Sequence, residues 1–449
     1  MLKNKDMSIY KKILIVGIPV ALENLVYNFI NFIDNFMVGK ENPILGLGTN
    51  AVSGLGISNQ IFFVYIISLF GLFSGAGVLS AQYFGSENYS KMNKILGFLS
   101  ATSLLLSIPF VIIGLTNPNT LLGFYSKDPM VLIQAREYFK YACFTFPLAG
   151  LGFVFSMQLR VISQSKYSFY ASIVGLVFNI VGNLILIPIM GVKGAAIATV
   201  IARLFSLIYM IYAVKKNKFP ILSSFKETMS FELDLVKDII RISLPTFIHE
   251  FIWVMGTTFR ASIYSNMGAV GFSSIIIAGT ISSILFSMFS GVSNAASVLV
   301  GNELGANNLE KAKRVASLCF RLMLLLGIIA AIMVNVISPV ILSMMKAEPE
   351  LIRLTRLVVF SESLILPFKG LNLLVIVGIL RAGGDIFYAM MLDLVGMWVI
   401  SVPLTMLGRS LNLPINMVYF LGGSSDIIVL LPSILRYKQR KWIKRIIRE

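Results

Sequence analysis

The sequence predicts an all-α polytopic membrane protein, with twelve transmembrane helices in two pseudo-symmetric six-helix bundles around a central cleft. Three observations carry that prediction. Of the 449 residues 57% are hydrophobic and only 13% charged, and the mean hydropathy of +0.83 is far above what a chain with a wetted surface sustains. Apolar runs of about 20 residues, each able to cross a hydrocarbon core about 30 Å thick, follow one another along the chain. The chain also repeats itself. Ala76, Val78, Leu79, Gly85, Asn88 and Lys91 correspond to Ala296, Val298, Leu299, Gly305, Asn308 and Lys311 at a constant offset of 220, which also carries Pro147, Gly150 and Leu151 onto Pro367, Gly370 and Leu371.

Taken in order, the spans fall at 11–39, 51–80, 93–116, 131–159, 167–189, 193–214, 237–265, 270–300, 312–340, 353–380, 386–408 and 413–436. The first apolar run begins at Ile13 behind Lys3, Lys5, Lys11 and Lys12. No small-residue cleavage site follows it, so it reads as a retained helix and not as a signal peptide. The longest polar segment divides the chain into an amino-terminal bundle (1–214), a linker (215–236), a carboxyl-terminal bundle (237–436) and a basic tail (437–449). Because six is even, the halves are parallel repeats about an axis along the membrane normal, a plan that suits alternating access.

Orientation follows from Lys and Arg. The amino end, Lys91 and Lys94, the 215–226 stretch, Lys311 to Arg314 and the tail share one side, whereas the opposite loops hold mainly Lys40, Lys127, Lys193, Lys346 and Arg409. Both termini are therefore expected in the cytoplasm, with the chain in the cell (inner) membrane. The same bias explains the cluster Arg436, Lys438, Arg440, Lys441, Lys444, Arg445 and Arg448; contact with anionic lipid is a weaker reading of it.

Other classes are disfavoured. The net charge of +17 lies between apolar runs and not on a basic, aromatic-laced face, so no nucleic-acid partner is expected. Cys143 and Cys319 fall inside predicted spans and read as packing residues. With one histidine and no metal-ligand spacing, nucleotide loop or nucleophile elbow, neither an enzyme, a cofactor nor an ATPase domain is expected. Energy then comes from an ion gradient or a partner. A channel is disfavoured because parallel repeats build one cleft and no ring of filter residues recurs.

What points to function is polarity where lipid should be. An ionisable group in a span costs about 2.5 to 3.5 kcal/mol on insertion scales, so it should face water or a partner. On the first span Glu23 and Asp34 are eleven apart and share one face, about 16 Å from each other. Asn24, Asn28, Asn31 and Asn35 form a stripe beside them, together reading as a cavity wall, although asparagines can also merely bond neighbouring helices. On the seventh span His249, Glu250, Trp253, Thr257, Arg260 and Tyr264 lie within about 100° on the helical wheel. Arg260 stands fifteen residues beyond Pro245, as Asp34 stands fifteen beyond Pro19, so the halves differ in charge where they correspond in place. His249 could carry a proton in a cycle or simply satisfy a neighbour. An ion pair of Arg260 with Glu250 or Asp34 is the plainer alternative for those charges. Ser168, Ser172, Asn179 and Asn183 share a stripe on the fifth span, and Thr199 follows on the sixth. Amide oxygens with one carboxylate suit a sodium ion, and the same set could hold a protonated carboxyl. Asp393 stands alone on the eleventh span, and Glu362 and Lys369, seven apart on the tenth, read as an internal pair.

Over nearly its whole length the sequence resembles the multidrug and toxic compound extrusion (MATE) family. The resemblance rests on P19-x14-D34 with the following MVG, GAGVLSAQYFG at 75–85 and its partner NAASVLVGNELGANN at 294–308, N179-x3-N183, and ILRAGGD at 379–385. It implies export of small, mostly cationic or aromatic compounds by a monomer in the lipid bilayer, driven by sodium ion or proton entry. On this resemblance the amino-lobe cation site maps onto Asp34, Asn179, Asn183 and Thr199, the one place where a metal ion, sodium, is expected. Glu23, Asn24, Asn28, Asn31, the seventh-span face and Asp393 are expected to line the substrate cleft. Glu250 looks like the seventh-span acid that several branches use. Two departures are visible: some branches carry an acid at the place of Asn183 and another in the tenth span, where this chain offers Glu362. The alternative is a lipid-linked precursor flippase of the same superfamily, which Arg260 keeps open.

Overall fold

A computed structural model describes residues 2–39, 47–222, 225–344 and 348–447; of the charges used above, Lys40, Lys346 and Arg448 lie outside them. Among the described residues eleven helices are long and apolar enough to cross a membrane, and a bent pair, counted as one span, makes twelve. In order they are Leu2–Val38, Thr49–Gly85, Tyr89–Thr116, the pair Pro129–Ala142 and Thr145–Val161, Ser165–Met190, Val192–Lys216, Leu233–Ser265, Ala269–Gly305, Leu309–Met344, Pro349–Arg381, Ile386–Ser410 and Ile415–Lys438. These are called the first to twelfth spans below.

The fourth span, expected as one helix over 131–159, bends by 53° between Ala142 and Thr145. Pro147 explains it: the ring has no N–H to offer and crowds the carbonyl four residues back, that of Cys143. Its start is set by Asp128, whose Oδ1 accepts from Met130 N at 2.9 Å, with Pro129 in the first turn. The tenth span carries Pro367 through an α-helix and then runs as a π-helix over Leu373–Arg381. A π turn takes one residue more than an α turn, and this matters for the site below.

Packing divides the chain into two units. An amino-terminal unit holds Leu22–Ser80 and Asn88–Ile240; a carboxyl-terminal unit holds Met1–Ala21, Ala81–Glu87 and Arg241–Glu449. In the amino-terminal unit the fifth and sixth spans approach closely over glycines. A Cβ on Gly175 would lie 2.5 Å from Ser206 Oγ, and one on Gly182 would lie 2.8 Å from the Ala198 Cβ. An aromatic cluster of Phe62, Tyr65, Phe110, Phe139 and Phe146 fills the space between the second, third and fourth spans.

In the carboxyl-terminal unit the end of the second span crosses the end of the eighth at backbone distance. A Cβ on Gly85 would fall 1.9 Å from the Asn302 carbonyl oxygen, and one on Gly305 would fall 1.9 Å from that of Gln82. The four positions are two repeat pairs, each 220 apart. The tail is seated in the same unit. Trp442 is 1% exposed, Gln82 donates to the Lys444 carbonyl at 3.1 Å and accepts from Ile446 N at 2.8 Å, and Lys444 N donates to the Gly383 carbonyl at 3.1 Å. Asp385 accepts from Arg436 Nε at 2.6 Å and Lys444 Nζ at 3.0 Å.

Candidate functional site

Asp34 lies near the end of the first span and is 4% exposed. Asn179 and Asn183 stand one turn apart on the fifth span and so project from one face; the glycine-mediated approach of the sixth span adds Thr199. Asp34 Oδ1 accepts from Asn183 Nδ2 at 2.6 Å and Asn179 Nδ2 at 3.1 Å, and Oδ2 accepts from Thr199 Oγ1 at 3.4 Å. Asn183 Nδ2 also donates to Asn179 Oδ1 at 3.3 Å. Both asparagines are fully buried. The structure thus brings Asn179, Asn183 and Thr199, expected with Asp34 in the cation site, onto the Asp34 carboxylate. Every partner is neutral, and no cation approaches Asp34 within 4.0 Å among the described residues. Burial opposes the free carboxylate while three donors favour it. Asn183 Oδ1 is buried without a hydrogen-bond partner among the described residues, leaving an acceptor available within the cluster.

One turn beyond Thr199, the Arg203 guanidinium lies over the Tyr27 ring at 4.9 Å and the Phe62 ring at 5.7 Å. A small cavity shares Asn179 and Thr199 with the Asp34 cluster and is lined also by Tyr27, Ser172, Arg203 and Ser206. Reading spans for acids and amides missed Arg203, although its place one turn after Thr199 was a usable signal.

The remaining first-span residues separate. Glu23 is buried in an ion pair: Arg160 Nη2 donates to Oε2 at 3.1 Å and Ser156 Oγ to Oε1 at 2.9 Å. Asn24 is partly buried, and Asn28 and Asn31 are exposed.

In the carboxyl-terminal unit, Asp393 does not stand alone and Glu250 does not pair with Arg260. Arg381, from the end of the π-helix, donates from Nη1 to Glu250 Oε1 at 3.0 Å and reaches His249 Nδ1 with Nη2 at 2.7 Å. His249 Nε2 lies 3.0 Å from Asp393 Oδ2, and Nδ1 lies 3.2 Å from Glu250 Oε1. Arg160 and Arg381 stand thirteen and fourteen residues beyond the repeat prolines Pro147 and Pro367, the extra residue being absorbed by the π turn. Each half therefore buries an acid of its opening span against an arginine ending its fourth.

Farther along the seventh span, Trp253 is 39% exposed and Thr257 bonds back to the Val254 carbonyl at 2.9 Å. Arg260 donates to Tyr264 Oη at 3.1 Å. The Glu362 and Lys369 pair is present at 3.1 Å, with Tyr419 Oη donating to the other carboxylate oxygen at 2.8 Å.

The MatE family model matches residues 19–185 and 245–407. The chain is 24% identical over 455 residues to the Probable multidrug resistance protein YoeA of Bacillus subtilis, covering 99% of this chain and 96% of that one. Among solved structures it resembles the Vibrio cholerae MATE transporter VcmN in its bent form, with a TM-score of 0.87 at 15% identity over 97% of this chain and 98% of that one. It also resembles an outward-facing multidrug resistance MATE family transporter of the MOP superfamily, with a TM-score of 0.86 at 18% identity over 98% and 97% of the two chains.

Proposed function

The chain belongs to the MatE family of membrane transporters, and from that premise we propose that it is a secondary active exporter of small organic, mostly cationic or aromatic compounds. It exchanges them for a sodium ion or a proton by alternating access, as a monomer in the cell membrane with both termini in the cytoplasm. The observation that carries this reading is the buried Asp34 carboxylate with Asn179, Asn183 and Thr199 gathered on it. A carboxylate hydrogen-bonded to neutral polar groups, with the Arg203 guanidinium nearby but not paired to it, can take up and release one small cation. Turned over, the same amides would offer oxygens to sodium; left as they are, they hold the carboxyl in either protonation state.

Export of drugs is supported by the names of relatives such as YoeA, which do not speak for the flippase alternative. Trp253, the exposed aromatic of the seventh-span face, offers a surface on which a planar cation can stack. The test is efflux from proteoliposomes under an imposed sodium or proton gradient, with Asp34→Asn beside the parent. The variant keeps size and polarity but cannot titrate or carry charge, so it should remain folded and bind substrate yet lose gradient-driven export. Pumping at the parent rate against a concentration gradient would move the coupling site elsewhere.

A further inference from the structure

The charged and titratable groups facing His249 are Glu250 on its own helix, Arg381 from the tenth span and Asp393 from the eleventh. A guanidinium is permanently charged and can only donate. Arg381 Nη2 approaches Nδ1 at 2.7 Å and Nε2 at 3.4 Å; with the nearer nitrogen as acceptor, the ring proton sits on Nε2, 3.0 Å from the accepting Asp393 Oδ2. That arrangement leaves a defect. The same Nδ1 lone pair also faces Glu250 Oε1 at 3.2 Å, acceptor against acceptor.

Charge shows the same incompleteness. Glu250 and Asp393 bring two carboxyl groups to the one guanidinium of Arg381, so with a neutral ring the cluster has one fewer cationic than acidic group; the Glu250 side chain is 10% exposed and that of Asp393 25%. Leaving a buried charge uncompensated is costly. The amino-terminal half offers a comparison. Four residues beyond Pro19 stands Glu23, paired with Arg160 and neutral as it is; four residues beyond Pro245 stands His249. Only the carboxyl-terminal cluster needs one more positive charge to reach the same balance.

We propose that His249 is a proton-binding site of the carboxyl-terminal half, in which a proton taken up at Nδ1 displaces Arg381 from the ring and re-partners it with the two acids. The balance is simple. One proton adds to Nδ1, the Nη2–H···Nδ1 bond breaks, the new Nδ1–H donates to Glu250 Oε1, and Nη2 turns toward Asp393 Oδ2, already 3.6 Å away. The protonated ring then donates at both nitrogens, one to each carboxylate, and the cluster is neutral. Arg381 opens the run that ends at Asp385, where Arg436 and Lys444 are held, so its change of partner acts on the segment that seats the tail. As a coupling element the site rests on the exporter reading above; as a binding site it does not.

His249 is the only histidine of the chain, so 15N-histidine labelling of the full-length protein, purified without a histidine tag into lipid nanodiscs, reports two ring nitrogens from one residue. At alkaline pH the spectrum should show a neutral ring protonated at Nε2; on acidification both nitrogens should become protonated, with a midpoint within about pH 6 to 8. Asp393→Asn removes one acceptor and one charge and should weaken proton binding about tenfold, while Arg381→Gln removes the competitor and should tighten it by about the same factor. A ring that keeps one protonation state from about pH 5 to 9, or a midpoint that Asp393→Asn leaves in place, overturns the proposal. Asp34→Asn separates the two readings. It should abolish gradient-driven export and leave the His249 titration unchanged. Normal titration with Asp34→Asn still pumping sinks only the exporter coupling scheme, and failed titration with intact Asp34-dependent efflux sinks only the proton site.

Discussion

The Glu23 carboxylate is 2% exposed, and its charge is met by Arg160 and Ser156. Removing one partner of such a pair leaves the other buried and uncompensated, at a cost of about 3 to 5 kcal/mol, whereas replacing both by neutral groups of similar size is far milder. Arg160→Gln should therefore lower the unfolding midpoint markedly, and adding Glu23→Gln should restore most of the loss. Both free cysteines are buried, so a thiol-reactive dye reports that midpoint directly; equal losses in single and double variants would show that Arg160 acts by packing alone. Trp253 belongs to the opposite case. At 39% exposed its truncation should cost little stability, and Trp253→Ala should weaken transport of aromatic cations more than of small ones. A uniform loss would mark it as structural. Much of this was legible at the level of a single helix. The spacing of Asn179 and Asn183, the polarity of Glu23 and Asp34, and the Glu362 and Lys369 pair all follow from 3.6-residue periodicity. What spacing within a helix cannot give is the partner across helices, so in sequence Asp393 reads as solitary and the alternative partner offered for Arg260 is Glu250 or Asp34, not Arg381 for Glu250. The repeat held the missing clue, because Arg160 and Arg381 follow matching prolines, but the π turn shifts the second by one residue and takes it off the constant offset.

Elements depart from the regular pattern where the chemistry is. Pro147 breaks the fourth span, and the π-helix of the tenth ends on Arg381 and hands the chain to the ILRAGGD turn, where Gly384 adopts φ +84°. That turn and the tail fit each other at backbone distance. A Cβ on Gly383 would fall 1.9 Å from the Trp442 carbonyl oxygen, so Gly383→Ala should push the tail off its seat, at a cost of about 1 to 3 kcal/mol. In a background carrying Trp253→Phe and Trp398→Phe, the emission of Trp442 should then shift to the red; an unchanged spectrum would mean that the turn yields and the tail does not. The pH dependence of this seat follows from Asp385. Burial works against its charge, but hydrogen bonds from Arg436 and Lys444 outweigh that and hold the carboxyl below its ordinary range. A depressed carboxyl contributes its stability in full above the unfolded value, about 3.9, and loses it as the pH falls through the folded one. Trp442 should stay buried from neutral pH down to about pH 4 and be released only under stronger acid, whereas release near neutrality would show that some other group holds the tail.

At the scale of the whole chain, hydropathy and the 220-residue repeat disclose the spans, yet not which helices share a unit. Residues 1–21 and 81–87 pack with the carboxyl-terminal half because glycines let backbones touch: Gly291 would meet the Gly17 carbonyl oxygen at 2.5 Å were it to carry a Cβ, and Gly85 and Gly305 meet Asn302 and Gln82. The repeat made the glycines visible as equivalents, but equivalence in sequence says nothing of contact. The second and eighth helices have 37 residues each, about 55 Å of helix against a hydrocarbon core about 30 Å thick, so their ends stand clear of the lipid. The side on which they emerge is a matter of charge. Translocating Lys and Arg is unfavourable, so the basic excess at 215–226, at Lys311 to Arg314 and in the tail argues for those segments in the cytoplasm, with Arg409 opposite. Lys218 and Arg409 are both exposed, and with the native cysteines buried a single introduced thiol gives the only accessible signal. In intact cells, Arg409→Cys should react with a membrane-impermeant maleimide and Lys218→Cys should not. In inside-out vesicles the pattern should invert. Labelling of Lys218→Cys from outside intact cells would reverse the orientation, and with it the direction in which Asp34 would have to be loaded for export.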